Sequence, residues 1–180
     1  KIVVMNILLI TPYFRPMVGG VETHLDDLCN FFNKQKYTVF IRTYKALGVK
    51  QRGDTKGGNG YINVHRLWWP DFGLIFKLES YPILKFIYFF LGLFIDCLIF
   101  ISKKNKSIDV IQAHGFIAAF IAVILGKAFN KRVVVNTHVG FKLKEGFMTN
   151  VIKWTLLNCD KVLVLTEGIK TALIKLGVPE

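Results

Sequence analysis

IDVIQAHGFIAAFIAVILGKAFNKRVVVNT, residues 108–137, decides the fold. It opens with Ile108–Ala113 (IDVIQA), a short apolar run that reads as a buried strand, and closes with a second one, Arg132–Thr137 (RVVVNT). Residues 115–129 between them read as a helix. Strand, helix and strand in that order form a βαβ unit, whose two strands run parallel and whose crossover is right-handed. Continuous Val/Ile/Leu runs suit strands covered on both faces.

The same pattern extends in both directions. Downstream lie a helical stretch at 147–158, the apolar run Lys161–Thr166 (KVLVLT) and a helical stretch at 167–176. Upstream, Asn6–Thr11 (NILLIT) is a buried-type strand ended by Pro12, and residues 12–20 form a loop. Val21, Leu25, Leu28 and Phe32 then recur at helical spacing, with Glu22, Asp26 and Asp27 on the other side. Tyr37–Tyr44 and Tyr61–Trp69 are β-branched and aromatic, hence strands, and the polar, glycine-rich stretch 45–60 separates them. The expected architecture is a single α/β domain over residues 1–180, with a Rossmann-like, doubly wound, mainly parallel sheet flanked by helices. Ligands of such sheets sit outside the carboxyl ends of the strands. That rule points to residues 12–20, 45–60, 69–73, 114–115 and 138–146.

Composition excludes several classes. Hydrophobic residues are 52% of the 180 and charged residues 20%, too apolar for a disordered chain. The mean hydropathy of +0.40 and 16 phenylalanines lean toward a membrane-touching protein, or toward a piece whose partner covers apolar surface. The net charge is +12, and each half of the chain holds 12 basic and 6 acidic residues, so no basic tail exists. Anionic lipid or phosphorylated small molecules fit this charge. Nucleic acid is not expected, for no zinc-finger spacing and no RNA-binding aromatic motif is present. Cys29, Cys97 and Cys159 are odd in number, far apart and set among apolar residues, which fits a reducing, cytoplasmic setting and neither a disulfide framework nor a zinc site. The opening is not a signal peptide, and Met5 is a candidate natural start.

Residues 81–102 (YPILKFIYFFLGLFIDCLIFIS) resemble a transmembrane segment, but Lys85 and Asp96 interrupt it. At about 100° per residue, Lys85, Gly92, Asp96 and Lys103 share a narrow stripe and the remaining circumference is apolar. A buried crossover helix is the first expectation, an in-plane membrane helix the second and a true span the third. Just before it, LWWPDF places Trp68, Trp69 and Phe72 at a strand end, where clustered aromatics suit a pocket wall or a membrane lip better than plain core.

The residues fit for chemistry lie at the strand ends. Gly19-Gly20 sits between the first strand and first helix, where backbone can approach a phosphate and helix N–H groups can face it. On this evidence alone an ordinary tight turn explains a bare GG better. GxGxxG and GxxxxGK[ST] are absent. His114 and His138 follow two strands of one sheet at corresponding ends. Glu22 lies in the first turn of its helix, where it also suits a plain helix-dipole partner. No paired carboxylates, GxSxG elbow or metal spacing accompany them, so no metal is expected.

With ILLITPYFRPMVGGVETH (7–24), IDVIQAHG (108–115), RVVVNTHVG (132–140) and CDKVLVLTEGIKTALIKLGVPE (159–180), the chain resembles the N-terminal domain of group 1, GT-B-fold retaining glycosyltransferases of glycosyltransferase family 4. The resemblance covers the chain outside 45–60 and 68–107. It implies an acceptor-binding half that works with a C-terminal domain carrying the nucleotide-sugar site and an E-x7-E motif, which these 180 residues do not contain. The implied reaction moves a sugar from a nucleotide-diphosphate sugar to an acceptor hydroxyl with retention, without metal or other cofactor. By the resemblance, His114 is the active-site histidine and Gly19, Gly20 and Glu22 shape the loop over diphosphate and acceptor. Thr137 and His138 then border the cleft. Charge stabilisation of the departing diphosphate needs only backbone N–H groups, a histidine and basic side chains.

Three readings follow. The chain is the acceptor half of such an enzyme, inactive alone; or a natural non-catalytic subunit that recruits a split transferase to a membrane; or a Rossmann-like nucleotide-binding protein without transferase activity. Trp68, Trp69, Phe72, Lys142 and Lys144 are expected at an acceptor or membrane lip. There they would hold the protein on the inner face of an anionic membrane and suit a lipid-linked acceptor.

Overall fold

The computed structural model describes residues 5–17, 19–45, 61–69, 81–137 and 146–179. Six strands, β1 (Asn6–Ile10), β2 (Thr38–Tyr44), β3 (Ile62–Leu67), β4 (Val110–His114), β5 (Arg132–Thr137) and β6 (Lys161–Val164), form one sheet in the order β3-β2-β1-β4-β5-β6. Every pair is parallel. Five helices complete it: α1 (Gly20–Lys34), α2 (Pro82–Lys104), α3 (Phe116–Phe129), α4 (Phe147–Leu157) and α5 (Glu167–Lys175).

The chain steps outward from β1 to β3, returns along α2, and steps outward again from β4 to β6. Neighbouring β1 and β4 therefore run away from each other in connectivity, and the crevice at their carboxyl ends is the topological switch point. In β1, Leu8 pairs with Phe40 on one side and Ile111 on the other. Ile7 through Ile10 are all buried, as a central parallel strand demands.

Two cores result, one on each face. Under α1 lie Ile7, Leu9, Val39 and Ile41 with Leu25, Cys29 and Phe32 of the helix. On the opposite face Leu8, Ile10, Ile111, Ala113, Val133 and Val135 meet α2, α3 and α4. The expected helices and strands are all present. His114 belongs to β4 itself, because its backbone still pairs with Asn136 of β5.

The apolar segment is one helix of 23 residues, longer than expected because Lys103 and Lys104 continue it. It is long and apolar enough to cross a membrane by length and composition. It nevertheless packs on the sheet as the β3–β4 crossover: Phe89, Leu93, Cys97 and Ile101 are buried there. The Tyr44 hydroxyl donates to the Phe89 carbonyl and accepts from the Leu93 N–H at 2.9 Å. The middle of the polar stripe does not face water, although Lys103 at its end does. A Cβ on Gly92 would stand 2.6 Å from the Trp69 ring, and Asp96 pairs with Arg42 of β2 at 3.3 Å. The stripe borders the buried arc, and the unpaired apolar arc faces outward.

Candidate active site

The crevice between β1 and β4 opens into a cavity of about 400 Å³. Its polar rim is Thr11, Glu22, Lys85, His114 and Thr137, and most of the remaining wall is apolar, including Phe86, Phe116 and Met148.

β1 ends where Pro12 cannot donate to a ladder. Thr11 N–H still reaches the Arg42 carbonyl at 3.1 Å, while its hydroxyl donates to the Tyr13 carbonyl at 2.9 Å. The Thr43 hydroxyl donates to the Pro12 carbonyl at 3.3 Å. These bonds pin the turn that leads to α1, and an ion pair between Arg15 and Asp26 ties the turn to the helix.

Gly19 caps α1 with an extended backbone, φ −176°. Its carbonyl accepts from the Thr23 N–H and the Thr23 hydroxyl, each at 3.0 Å. A Cβ on Gly19 would stand 2.5 Å from Glu22 Oε2, so the Glu22 carboxylate folds back against this residue. Glu22 thus occupies the positive end of α1 and also lines the cavity, uniting its two expected positions. An added Cβ on Gly20 meets nothing within 4 Å.

His114, at the end of β4, is 1% exposed. Its Nε2 lies 3.4 Å from the Asn136 side-chain amide nitrogen, and its ring centroid is 6.0 Å from that of His24 on α1. Gly115 follows with φ +83° and ψ 164°, a conformation open essentially to glycine alone. Its carbonyl accepts from the Ala119 N–H at 2.9 Å, so the chain turns from β4 into α3 within one residue and leaves His114 at the cavity. Thr137, 4% exposed, ends β5 and donates through its hydroxyl to the Leu163 carbonyl at 3.3 Å.

The structure therefore brings together His114, Glu22 and Thr137 around one cavity, with Gly19 and Gly20 at its α1 side. His138, Phe72, Lys142 and Lys144 lie outside the described residues. The two tryptophans part: Trp68 is 70% exposed, whereas Trp69 packs against Gly92, Tyr44 and Tyr88. Sequence reasoning did not single out Thr11, Tyr13, Lys85, Phe86, Phe116 or Met148 as cavity residues, although Tyr13 lies in the strand-end segment 12–20. The strand-end rule could have found Thr11, Tyr13 and Phe116; Lys85 and Phe86 come to the cavity only because α2 crosses back over the sheet.

Burial governs the thiols. It pushes Cys29 from 9.0 up to about 12, with nearby Asp26 adding to the rise, and it raises Cys97 and Cys159 too. Among the described residues no three His, Cys, Asp or Glu side chains gather as a metal-ligand set.

Residues 18–180 match the family model of Glycosyltransferase Family 4. A structure of sucrose-phosphate synthase (tll1590) from Thermosynechococcus elongatus superposes with a TM-score of 0.67 at 15% identity, over 95% of this chain and 45% of that one. Alr3699/HepE of Anabaena, in complex with UDP and glucose, gives a TM-score of 0.64 at 17% identity, over 97% and 42%. The chain thus spans less than half the length of these structures, and the likeness is one of fold. No curated protein matches the chain.

Proposed function

This chain belongs to Glycosyltransferase Family 4, and from that premise we propose that its glycosyltransferase domain is the acceptor-binding half of a retaining enzyme. The enzyme takes a sugar from a nucleotide-diphosphate sugar, held mainly by a C-terminal partner domain, and transfers it to an acceptor hydroxyl. The observation that carries the reading is the position of His114: at the carboxyl end of β4, on the cavity at the switch point, beside the α1 terminus capped by Gly19.

The residues suit the chemistry. As the donor bond breaks, negative charge grows on the diphosphate and positive charge on the sugar ring. Among the described residues, the first-turn N–H groups of α1 and the Lys85 ammonium are the positive elements at the cavity, and Glu22 must swing from Gly19 to let a phosphate meet that terminus. His114 faces the transferred sugar, and Thr137 borders it. HepE binds UDP in its crystal, which makes UDP-sugars the first donors to test.

The cavity wall also favours an acceptor with an apolar portion. Sugar hydroxyls need several hydrogen-bond partners, and an apolar wall offers few. This supports a lipid-linked acceptor and an enzyme peripheral on a membrane, with Trp68 at the lip; the free cysteines Cys29, Cys97 and Cys159 suit the cytoplasmic, inner face.

The test is transfer of label from a panel of nucleotide sugars by the protein joined to its donor domain, in the presence of a lipid extract. We expect a lipid-extractable product whose anomeric configuration by NMR is that of the donor, and no turnover by residues 1–180 alone. Inverted configuration sinks retention; label confined to water-soluble product sinks the lipid acceptor.

A further inference from the structure

α2 has two apolar faces, and the sheet uses only one. Ile83, Ile87, Leu91, Ile95 and Ile99 repeat every fourth residue on the outer side, each about half exposed, and Leu84 and Leu98 widen the row. At 1.5 Å per residue this row is roughly 24 Å long. A helix at the surface of a soluble domain normally turns charge outward from the sheet. Here the one acid of α2, Asp96, turns inward to Arg42.

Among the described residues of α2, α3 and α4, the outward charge has a single sign. Across α2, α3 and α4 no acid occurs besides Asp96. Lys103, Lys104 and Lys106 are exposed at the end of the row. The apolar surface continues sideways: Phe120 meets both Phe90 and Trp154, and the Lys127 ammonium lies 5.4 Å from the Trp154 ring centroid.

We propose that this face docks on an anionic lipid surface, with α2 lying in the plane of the interface. An apolar stripe with basic residues at its end is what an interfacial helix presents to headgroups and acyl chains. A span is incompatible with the Tyr44 bonds and the Asp96–Arg42 pair that hold α2 on the sheet. The outer face of α2 in a second copy carries no acid to meet the three lysines, since Asp96 turns inward. This docking face is the helical layer, a surface separate from the Trp68 lip, and it stands whether or not the transferred sugar goes to a lipid. Lys85 and Phe86 line the cavity beside Ile83 and Ile87, so the stripe and the cavity mouth adjoin.

Vesicle flotation tests the proposal without any turnover. The protein is expected to float with phosphatidylcholine–phosphatidylglycerol vesicles and much less with phosphatidylcholine alone. Ile87→Glu with Leu91→Glu and Ile95→Glu should weaken binding more than tenfold with an unchanged circular dichroism spectrum. Should that variant misfold, Leu91→Ser with Ile95→Ser serves in its place. A basic residue at an anionic surface contributes about fivefold, so Lys103→Glu with Lys104→Glu and Lys106→Glu should cost on the order of 100-fold at low salt and little at high salt. Wild-type protein that ignores the mixed vesicles overturns the proposal, as do stripe variants that float like wild type. Resistance to alkaline carbonate, the mark of a span, overturns it, and so does a dimer dissolved by the stripe variant without any vesicle binding.

Discussion

The carboxylate of Asp96 faces the guanidinium of Arg42 across the contact of α2 with β2, with Nη1 3.3 Å from both carboxylate oxygens. Both side chains are 12% exposed, and the guanidinium also lies 3.9 Å from the centroid of the Phe100 ring. Removing one partner leaves the other charged in a largely dry site, which costs about 3 kcal/mol. Asp96→Ala should therefore lower the melting temperature by roughly 6–12 °C. Arg42→Met with Asp96→Leu should recover most of that loss, because apolar isosteres need no solvation. Thermal unfolding of the single and double variants checks this; a single variant as stable as wild type would show that the pair contributes nothing.

His114→Ala, in the enzyme with its donor domain, should lower kcat roughly 10²-fold and change the donor KM far less. An interaction made mainly in the transition state has that signature. Steady-state kinetics with a melting curve for each variant separates catalysis from folding. Unchanged kcat in a folded variant returns His114 to a structural role beside Asn136.

Gly115→Ala forces a side chain into the φ +83° conformation and should cost about 1–3 kcal/mol. The Cβ itself meets nothing within 4 Å, so the cost is backbone strain rather than collision. Urea unfolding measures it. Gly20→Ala is the control: its Cβ also meets nothing within 4 Å and no left-handed backbone is involved, so stability should be nearly unchanged. Equal stability for both variants would contradict the assignment of strain to Gly115.

Alkaline stability follows from the buried thiols and Tyr44. Burial favours their neutral forms in the folded chain, pushing Cys29 up to about 12 and raising Cys97 and Tyr44. The unfolded chain releases these protons first, so their contribution is complete below pH 9 and is lost as pH climbs toward 12. Each thiol contributes a slope of about 1.4 kcal/mol per pH unit in that window. Cys29→Ala with Cys97→Ala should flatten the decline seen by urea unfolding at pH 8, 9 and 10. A decline as steep as wild type would mean that other groups control it.

Much of this protein was determined by local sequence. Short Val/Ile/Leu runs ended by Pro12, Gly115 or the polar stretch after Tyr44 read as buried strands, their alternation with helices made them parallel, and helical spacing at Leu25 and Phe32 gave α1 its inward face. Those patterns need neighbours only along the chain, and the strand-end rule then placed His114 and Thr137 at a crevice. The tertiary structure alone decided the rest. The angular stripe of α2 was legible, yet whether Asp96 met water or Arg42 depended on a strand 54 residues away. Lys85 and Phe86 reach the cavity because the return crossover carries the start of α2 past β1 and β4. Trp68 and Trp69, adjacent in sequence, separate because successive side chains of an extended chain point to opposite sides, and Gly92 makes room for only one of them.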